Sequence, residues 1–133
     1  MSPIATLNHT PHTTSPCSLL AVTEQHLRVG GPLLRGRLSR ALPFLERELE
    51  EDLGPGGALR ELSAESAWLL PRVERCYRER HELLHELTRL YDQLVWGEGR
   101  ARCRRLAERV RAHRHRVEQL SLDATHRDLG GEG

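Results

Sequence analysis

LPRVERCYRERHELLHELTRLYDQL, residues 70–94, is the stretch of sequence that decides the fold. Its apolar residues recur at spacings of three and four, which places them on one face of an α-helix. Pro71 lies near the start, where proline begins or bends a helix. The stretch predicts a long amphipathic helix that runs to about Val95, with one apolar stripe made of Val73, Tyr77, Leu84, Leu87, Thr88, Tyr91 and Leu94, flanked by Cys76 and Leu83.

The same periodicity recurs along most of the chain. Glycine-rich breaks separate the periodic stretches, and Pro43 is expected to kink or split the helix that contains it. Because short connections make successive helices antiparallel, the sequence predicts an all-α fold, an up-down four-helix bundle. Besides the helix above, we predict helices over about 17–29, 32–53 and 100–127, and a short helix over about 58–69.

The predicted bundle occupies most of the chain as one domain. Its length of 133 residues suits a single core. Residues 1–16 contain prolines and threonines and lack apolar periodicity, so we expect a disordered tail. The bundle is predicted over residues 17–129, and the glycine-rich residues 130–133 are expected to be a frayed C-terminus.

Composition argues against several classes of partner. The twenty basic residues are balanced by nineteen acidic ones, and the formal net charge of +1 predicts no attraction to nucleic acid. No apolar run reaches the roughly 20 residues of a membrane span, and residues 1–16 do not have the pattern of a secretory signal. The three cysteines, Cys17, Cys76 and Cys103, form no CxxC motif, which favours reduced thiols and a cytoplasmic location. A bridge between Cys76 and Cys103 remains an alternative.

Two histidines, His81 and His113, are predicted to face the interior from two consecutive helices. At about 100° per residue, His113 lies about 40° from the centre of its apolar stripe, and His81 lies at the edge of its own. Inward imidazoles are metal ligands in helical bundles. The alternative is that both are structural histidines, hydrogen-bonded to neighbouring polar groups.

Arg80 falls nearer the centre of its stripe than His81 does. A core arginine must be paired or must extend to the rim. Glu48 and Asp52, one helical turn apart, face the apolar side of the second helix. Either they pair with Arg80 or Arg114, or they are carboxylate ligands of a metal such as iron, together with the two histidines.

Three segments resemble the hemerythrin-like (HHE cation-binding) superfamily. They are Ser66–Arg75 with the following Glu79–Leu84, Leu106–His113, and Asp123–Gly130. The resemblance covers about residues 33–130 and implies a four-helix bundle that holds a di-iron centre, or another metal, through histidines and carboxylates.

The resemblance also assigns ligand positions. His81 matches the third-helix ligand, and His113 matches the first residue of the fourth-helix His-x-x-x-(His/Glu) pair, whose second position here is Val117. Glu48 and Asp52 occupy the places of the second-helix His-x-x-x-Glu pair. The first helix offers only His26, near its end. Because so few ligand positions match, we expect no cofactor, with iron as the alternative.

These observations lead to one preferred function and two rivals. The first is a hemerythrin-like bundle with a degenerate metal site and a non-enzymatic, regulatory or protein-interaction role. The second is a working iron protein that senses or stores O₂, NO or iron, with His81, His113, Glu48 and Asp52 as tentative ligands. The third is an unrelated helical adaptor. An enzyme is not expected, because no GxSxG elbow or phosphate loop occurs. We expect a monomer or weak dimer that binds neither nucleic acid nor a membrane, and the sequence leaves an unidentified protein partner open.

Overall fold

The computed structural model of the chain describes residues 18–94 and 99–130. Every regular element in these ranges is an α-helix. The predicted tail, the connector before Gly99 and the residues after Gly130 lie outside the described residues. The helices are α1 (Ser18–Val29), α2 (Leu34–Asp52), α3 (Ala58–Ser63), α4 (Leu70–Gln93) and α5 (Arg100–Gly130).

Most helix positions agree with the periodicity, and two local predictions are corrected. The second helix continues through Pro43 without splitting. Pro43 and Ser39 are both exposed, so the carbonyl group that loses its helical donor to proline lies on the solvent side. The predicted helix over 58–69 ends at Ser63, and turns lead from there to α4. Helix α4 has Pro71 in its first turn, as predicted.

Helices α4 and α5 run antiparallel, as their contacts show. Gln93, at the end of α4, accepts a hydrogen bond from Arg102, near the start of α5. At the other end, Arg72 forms an ion pair of 2.8 Å with Asp123. Helix α2 is likewise antiparallel to α4, because Arg35 donates to the carbonyl oxygen of Tyr91 while the end of α2 lies beside the first half of α4.

Helix α1 completes the arrangement by packing on α5 and α2. Arg28 pairs with Glu108, and Glu24 pairs with Arg114 further along α5, so α1 and α5 are also antiparallel. Each of the four longer helices contacts two of the others, in the cyclic order α1, α2, α4, α5, and the short α3 contacts α2, α4 and α5. Every long helix therefore has an inner side.

The inner sides meet in a core made mainly of leucine. Burial of these side chains is the largest favourable contribution to folding. Four helices supply most of the leucines that are at most 2% exposed: Leu20, Leu27, Leu34, Leu38, Leu45, Leu49, Leu53, Leu69, Leu83, Leu87, Leu90 and Leu120. Val73, Val110 and Val117 are also fully buried. Val117, which stands at the second position of the fourth-helix ligand pair in the resemblance, is thus part of the apolar core.

Cys76 and Cys103 are free thiols buried in this core. Burial raises the pKa of both thiols, which keeps them protonated and poorly nucleophilic. The structure therefore does not contain the alternative, a disulfide bridge between Cys76 and Cys103. None of the described helices combines the length and the apolar composition that a membrane crossing requires.

The core predicts a large difference between two leucine substitutions. Leu87 is 0% exposed and Leu122 is 53% exposed. We expect Leu87→Ala to lower the free energy of unfolding by about 2–5 kcal/mol, because it removes buried methyl groups and leaves a cavity. Leu122→Ala should change it by no more than about 0.5 kcal/mol. Urea unfolding followed by circular dichroism measures both values, and similar losses in the two variants would contradict the placement of the core.

Candidate functional site

Among the residues that the structure describes, Arg80 has the largest side chain that is completely buried, with 0% exposure. It occupies the inward side of α4, between the core residues Cys76 and Leu83. Moving a guanidinium group out of water costs several kcal/mol unless hydrogen bonds and opposite charges compensate. The polar groups that surround Arg80 must therefore compensate its charge inside the core.

His113, on α5, is a hydrogen-bonding partner of Arg80. The Nε–H group of Arg80 donates to Nε2 of His113 over 2.7 Å, and His113 is also 0% exposed. Since an arginine nitrogen can only donate, Nε2 carries no proton. The ring proton is then on Nδ1, which donates to Oε1 of Glu79 over 2.5 Å. Both ring nitrogens of His113 are satisfied in this neutral tautomer.

The pKa of His113 agrees with a neutral ring. Burial, the larger effect, and the positive charge of Arg80 lower it from 6.5 to about 4, against the opposing attraction of Glu79. Glu79 lies one residue before Arg80 and also accepts hydrogen bonds from Arg116, one of them at 3.1 Å from Nε. Partial burial acts to raise the pKa of Glu79, but the hydrogen bonds from Arg116 and His113 outweigh it and hold the pKa below its usual value.

Glu48 and Asp52 bring α2 into the same network. Glu48 Oε1 lies 3.8 Å from Arg80 Nη1, the separation of an ion pair without a hydrogen bond. Burial raises the pKa of Glu48 to about 7, although Arg80 acts to lower it. Burial likewise raises the pKa of Asp52, and Arg80 again opposes the effect. The acidic end of α2, which opposes the helix dipole, thus places two carboxyl groups near the buried cation.

These contacts favour the ion-pair interpretation of the acidic pair. Glu48 lies 3.8 Å from Arg80, and the charge of Arg80 also acts on Asp52. His113 is buried, as predicted. His81 is not buried, because its side chain is 53% exposed. The prediction that His81 faces the interior is therefore wrong. Arg80 takes the inward position on that turn, and the next residue is rotated by about 100° toward solvent.

The four tentative metal ligands therefore do not converge. His81 lies outside the core, and both nitrogens of His113 are engaged by Arg80 and Glu79. In the ranges 18–94 and 99–130, no three or more His, Cys, Asp or Glu side chains are arranged to hold a metal ion. The residues of the interior do not fit a hemerythrin-type metal, because a guanidinium group already lies among the carboxyl groups. The ligand set His81, His113, Glu48 and Asp52 stays a prediction.

A second charged cluster lies between α1 and α5. Glu24 is 8% exposed and accepts hydrogen bonds from Arg28 over 3.0 Å and from Arg114 over 2.9 Å. Burial acts to raise the pKa of Glu24, but the two arginines lower it below its usual value. Arg114 also lies 3.6 Å from Glu118 on its own helix. This cluster ties α1 to α5, as the Arg80 network ties α4 to α5.

Sequence reasoning did not find Glu79, Arg116 or Glu24. Glu24 had a signal, because it lies four residues after Leu20 and three before Leu27, on the apolar side of α1. Glu79 and Arg116 had no comparable signal. Each lies beside an apolar stripe, and their pairing follows only from the way α4 packs against α5.

Comparisons with protein-family models, with curated proteins and with solved structures give no match to this chain. The resemblance to hemerythrin-like proteins therefore stays an interpretation of the sequence.

The buried network predicts a specific sensitivity at Arg80. Arg80→Met keeps much of the side-chain volume but leaves Glu48 and His113 without their cationic partner. We expect a loss of about 3–5 kcal/mol in the free energy of unfolding. The matched control is Arg78→Met, two residues away and exposed, which should stay within about 0.5 kcal/mol of wild type. Chemical denaturation measures both, and equal losses would contradict a stabilising network.

The pKa of His113 predicts how stability depends on pH. Because the folded-state pKa is depressed from 6.5 to about 4, the unfolded chain binds this proton more tightly. The contribution of neutral His113 is complete above about pH 6.5 and is lost as the pH falls toward 4. We expect the stability advantage of wild type over His113→Gln to shrink by roughly 3 kcal/mol between about pH 7 and pH 4. Urea unfolding at a series of pH values tests this.

The matched control for the pH series is His115→Gln, at an exposed position on the same helix. The difference in unfolding free energy between wild type and His115→Gln should not change with pH. If this difference changes with pH equally in both variants, the neutral buried state of His113 does not cause the pH dependence.

Proposed function

We propose that this chain is a diverged, hemerythrin-like up-down four-helix bundle whose interior holds an arginine-centred network in place of a metal centre. Two features of the described residues support the bundle. The four longer helices contact one another in a closed cycle. In three of the four neighbouring pairs, two contacts at different levels make the helices antiparallel.

The observation that carries the proposal is the hydrogen bonding of His113. Its two nitrogens are used by Arg80 and Glu79, so a metal ion could bind the ring only after one of these bonds breaks. Arg80 also supplies, inside the bundle, the positive charge that a metal would otherwise supply to Glu48. We infer that the fold has kept the charge balance of a metal site without the metal.

The burial of the network favours a non-enzymatic role. Arg80 and His113 are both 0% exposed, so a substrate could touch neither of them without opening the core. A group that cannot reach substrate contributes to stability rather than to chemistry. We therefore propose a regulatory or protein-interaction role for the bundle, with its stability set by the internal network.

Metal content is the direct test against a working iron protein. The chain is expressed in iron-supplemented medium, purified without chelators, and assayed for iron per chain together with its absorption spectrum. We expect iron at well below one atom per chain and no oxo-to-iron absorption bands.

Near-stoichiometric iron with such bands, lost in His113→Gln and retained in the exposed control His115→Gln, would contradict the proposal. It would instead favour the iron-binding alternative with His113 as a ligand. Circular dichroism of each variant checks that the helices are intact, because His113 is buried.

A further inference from the structure

Two further histidines, His81 and His85, lie on the outer side of α4, away from the buried network. The segment His81-Glu82-Leu83-Leu84-His85 is helical throughout. Leu83 and Leu84 are 1% and 6% exposed and anchor the segment in the core, whereas His81 and His85 are both exposed. Residues four apart on a helix are neighbours, with about 5–6 Å between their Cβ atoms. The two imidazoles therefore form a pair on one outward face.

The pair lines a surface groove of about 350 Å³. Glu82 and Glu86 of α4 line the same groove, and Arg109 of α5 lies at its other side. Two imidazoles and two carboxylates around one groove combine the nitrogen and oxygen donors that suit divalent transition metals.

Glu50, at the end of α2, adds a carboxylate on the other side of His81. Its Oε2 lies 3.9 Å from Nε2 of His81. This is too long for a hydrogen bond but close to the roughly 3.4 Å that separates two ligands of one tetrahedral metal ion with bonds of about 2.1 Å. A metal ion can therefore lie between the two groups after a small side-chain movement.

Tyr77 holds both of these groups in place. Its hydroxyl donates to Oε2 of Glu50 over 2.9 Å, and its ring packs edge-on against the ring of His81, with the centroids 4.7 Å apart. Hydrogen bonds to ligating carboxylates orient metal ligands in proteins, and the edge-on ring contact restricts the orientation of His81. Tyr77 is thus a positioning residue for the pair Glu50 and His81.

We propose that His81 and His85 bind a divalent transition-metal ion such as Zn²⁺ on the surface of α4, with Glu50 as a third ligand and water completing the coordination. The spacing His-Glu-x-x-His is one with which a single helix binds zinc through two histidines. His81, His85 and Glu50 are exposed. Their donor atoms are not gathered around one point in the structure, so metal binding requires the imidazole of His85 to rotate toward the pair Glu50 and His81. The site is separate from the Arg80 network and does not rest on the function proposed above.

Isothermal titration calorimetry with Zn²⁺ tests the site on the full chain. The protein is first treated with EDTA and dialysed, and the buffer contains no chelating component. We expect one zinc ion per chain with a dissociation constant in the micromolar range. His81→Ala and His85→Ala should each weaken binding by at least about tenfold, and Glu50→Gln should weaken it severalfold. His115→Ala, an exposed histidine on α5, is the matched control and should bind as wild type does.

Two results would overturn the inference. One is the absence of zinc binding to the wild-type chain in this range. The other is binding that survives in His85→Ala but disappears in His9→Ala/His12→Ala, because the ion would then be bound by the N-terminal segment. Helix content measured by circular dichroism accompanies each variant, and because His85 is exposed, its substitution should leave the spectrum unchanged.

Discussion

The burial of the Arg80 charge is the constraint on which the rest of the structure depends. A guanidinium group without access to water must be compensated by groups from other helices. Glu48 comes from α2 and His113 from α5, so one side chain of α4 fixes how three helices are placed against one another. Leucine packing alone is less selective, because sliding one leucine stripe along another still buries apolar surface. The polar network therefore selects one register among the several that the apolar core permits.

Local periodicity was enough to predict much of the fold. The apolar spacing in residues 70–94 fixed the extent of α4 to within about two residues, because the period of a helix is set by its own sequence. Of the kink or split predicted at Pro43, the split does not occur, because α2 is one helix over Leu34–Asp52. The carbonyl group that loses its hydrogen bond to proline faces solvent. The helix predicted over 58–69 ends early, at Ser63. Such ends are set by tertiary contacts as well as by propensity.

The sequence predicted the position of a site residue only where the apolar periodicity of its own helix was sufficient to locate it. Arg80 and Glu48 were placed correctly, because each falls on the apolar side of its own helix. His81 lies at the edge of a stripe, where a small rotation about the helix axis decides between the core and the solvent. The role of Glu79 depends on the position of His113 on the neighbouring helix α5, which no local pattern contains. The resemblance to hemerythrin-like proteins agrees with the all-helical fold but is not tested by the structure.

The tautomer of His113 is the most direct measure of the network. Long-range ¹H–¹⁵N NMR of the imidazole rings distinguishes a protonated from an unprotonated ring nitrogen. The account predicts a neutral ring with the proton on Nδ1 and a bare Nε2 that accepts from Arg80, unchanged between about pH 6 and pH 8. A ring that carries its proton on Nε2, or that gains a second proton in this range, would contradict it.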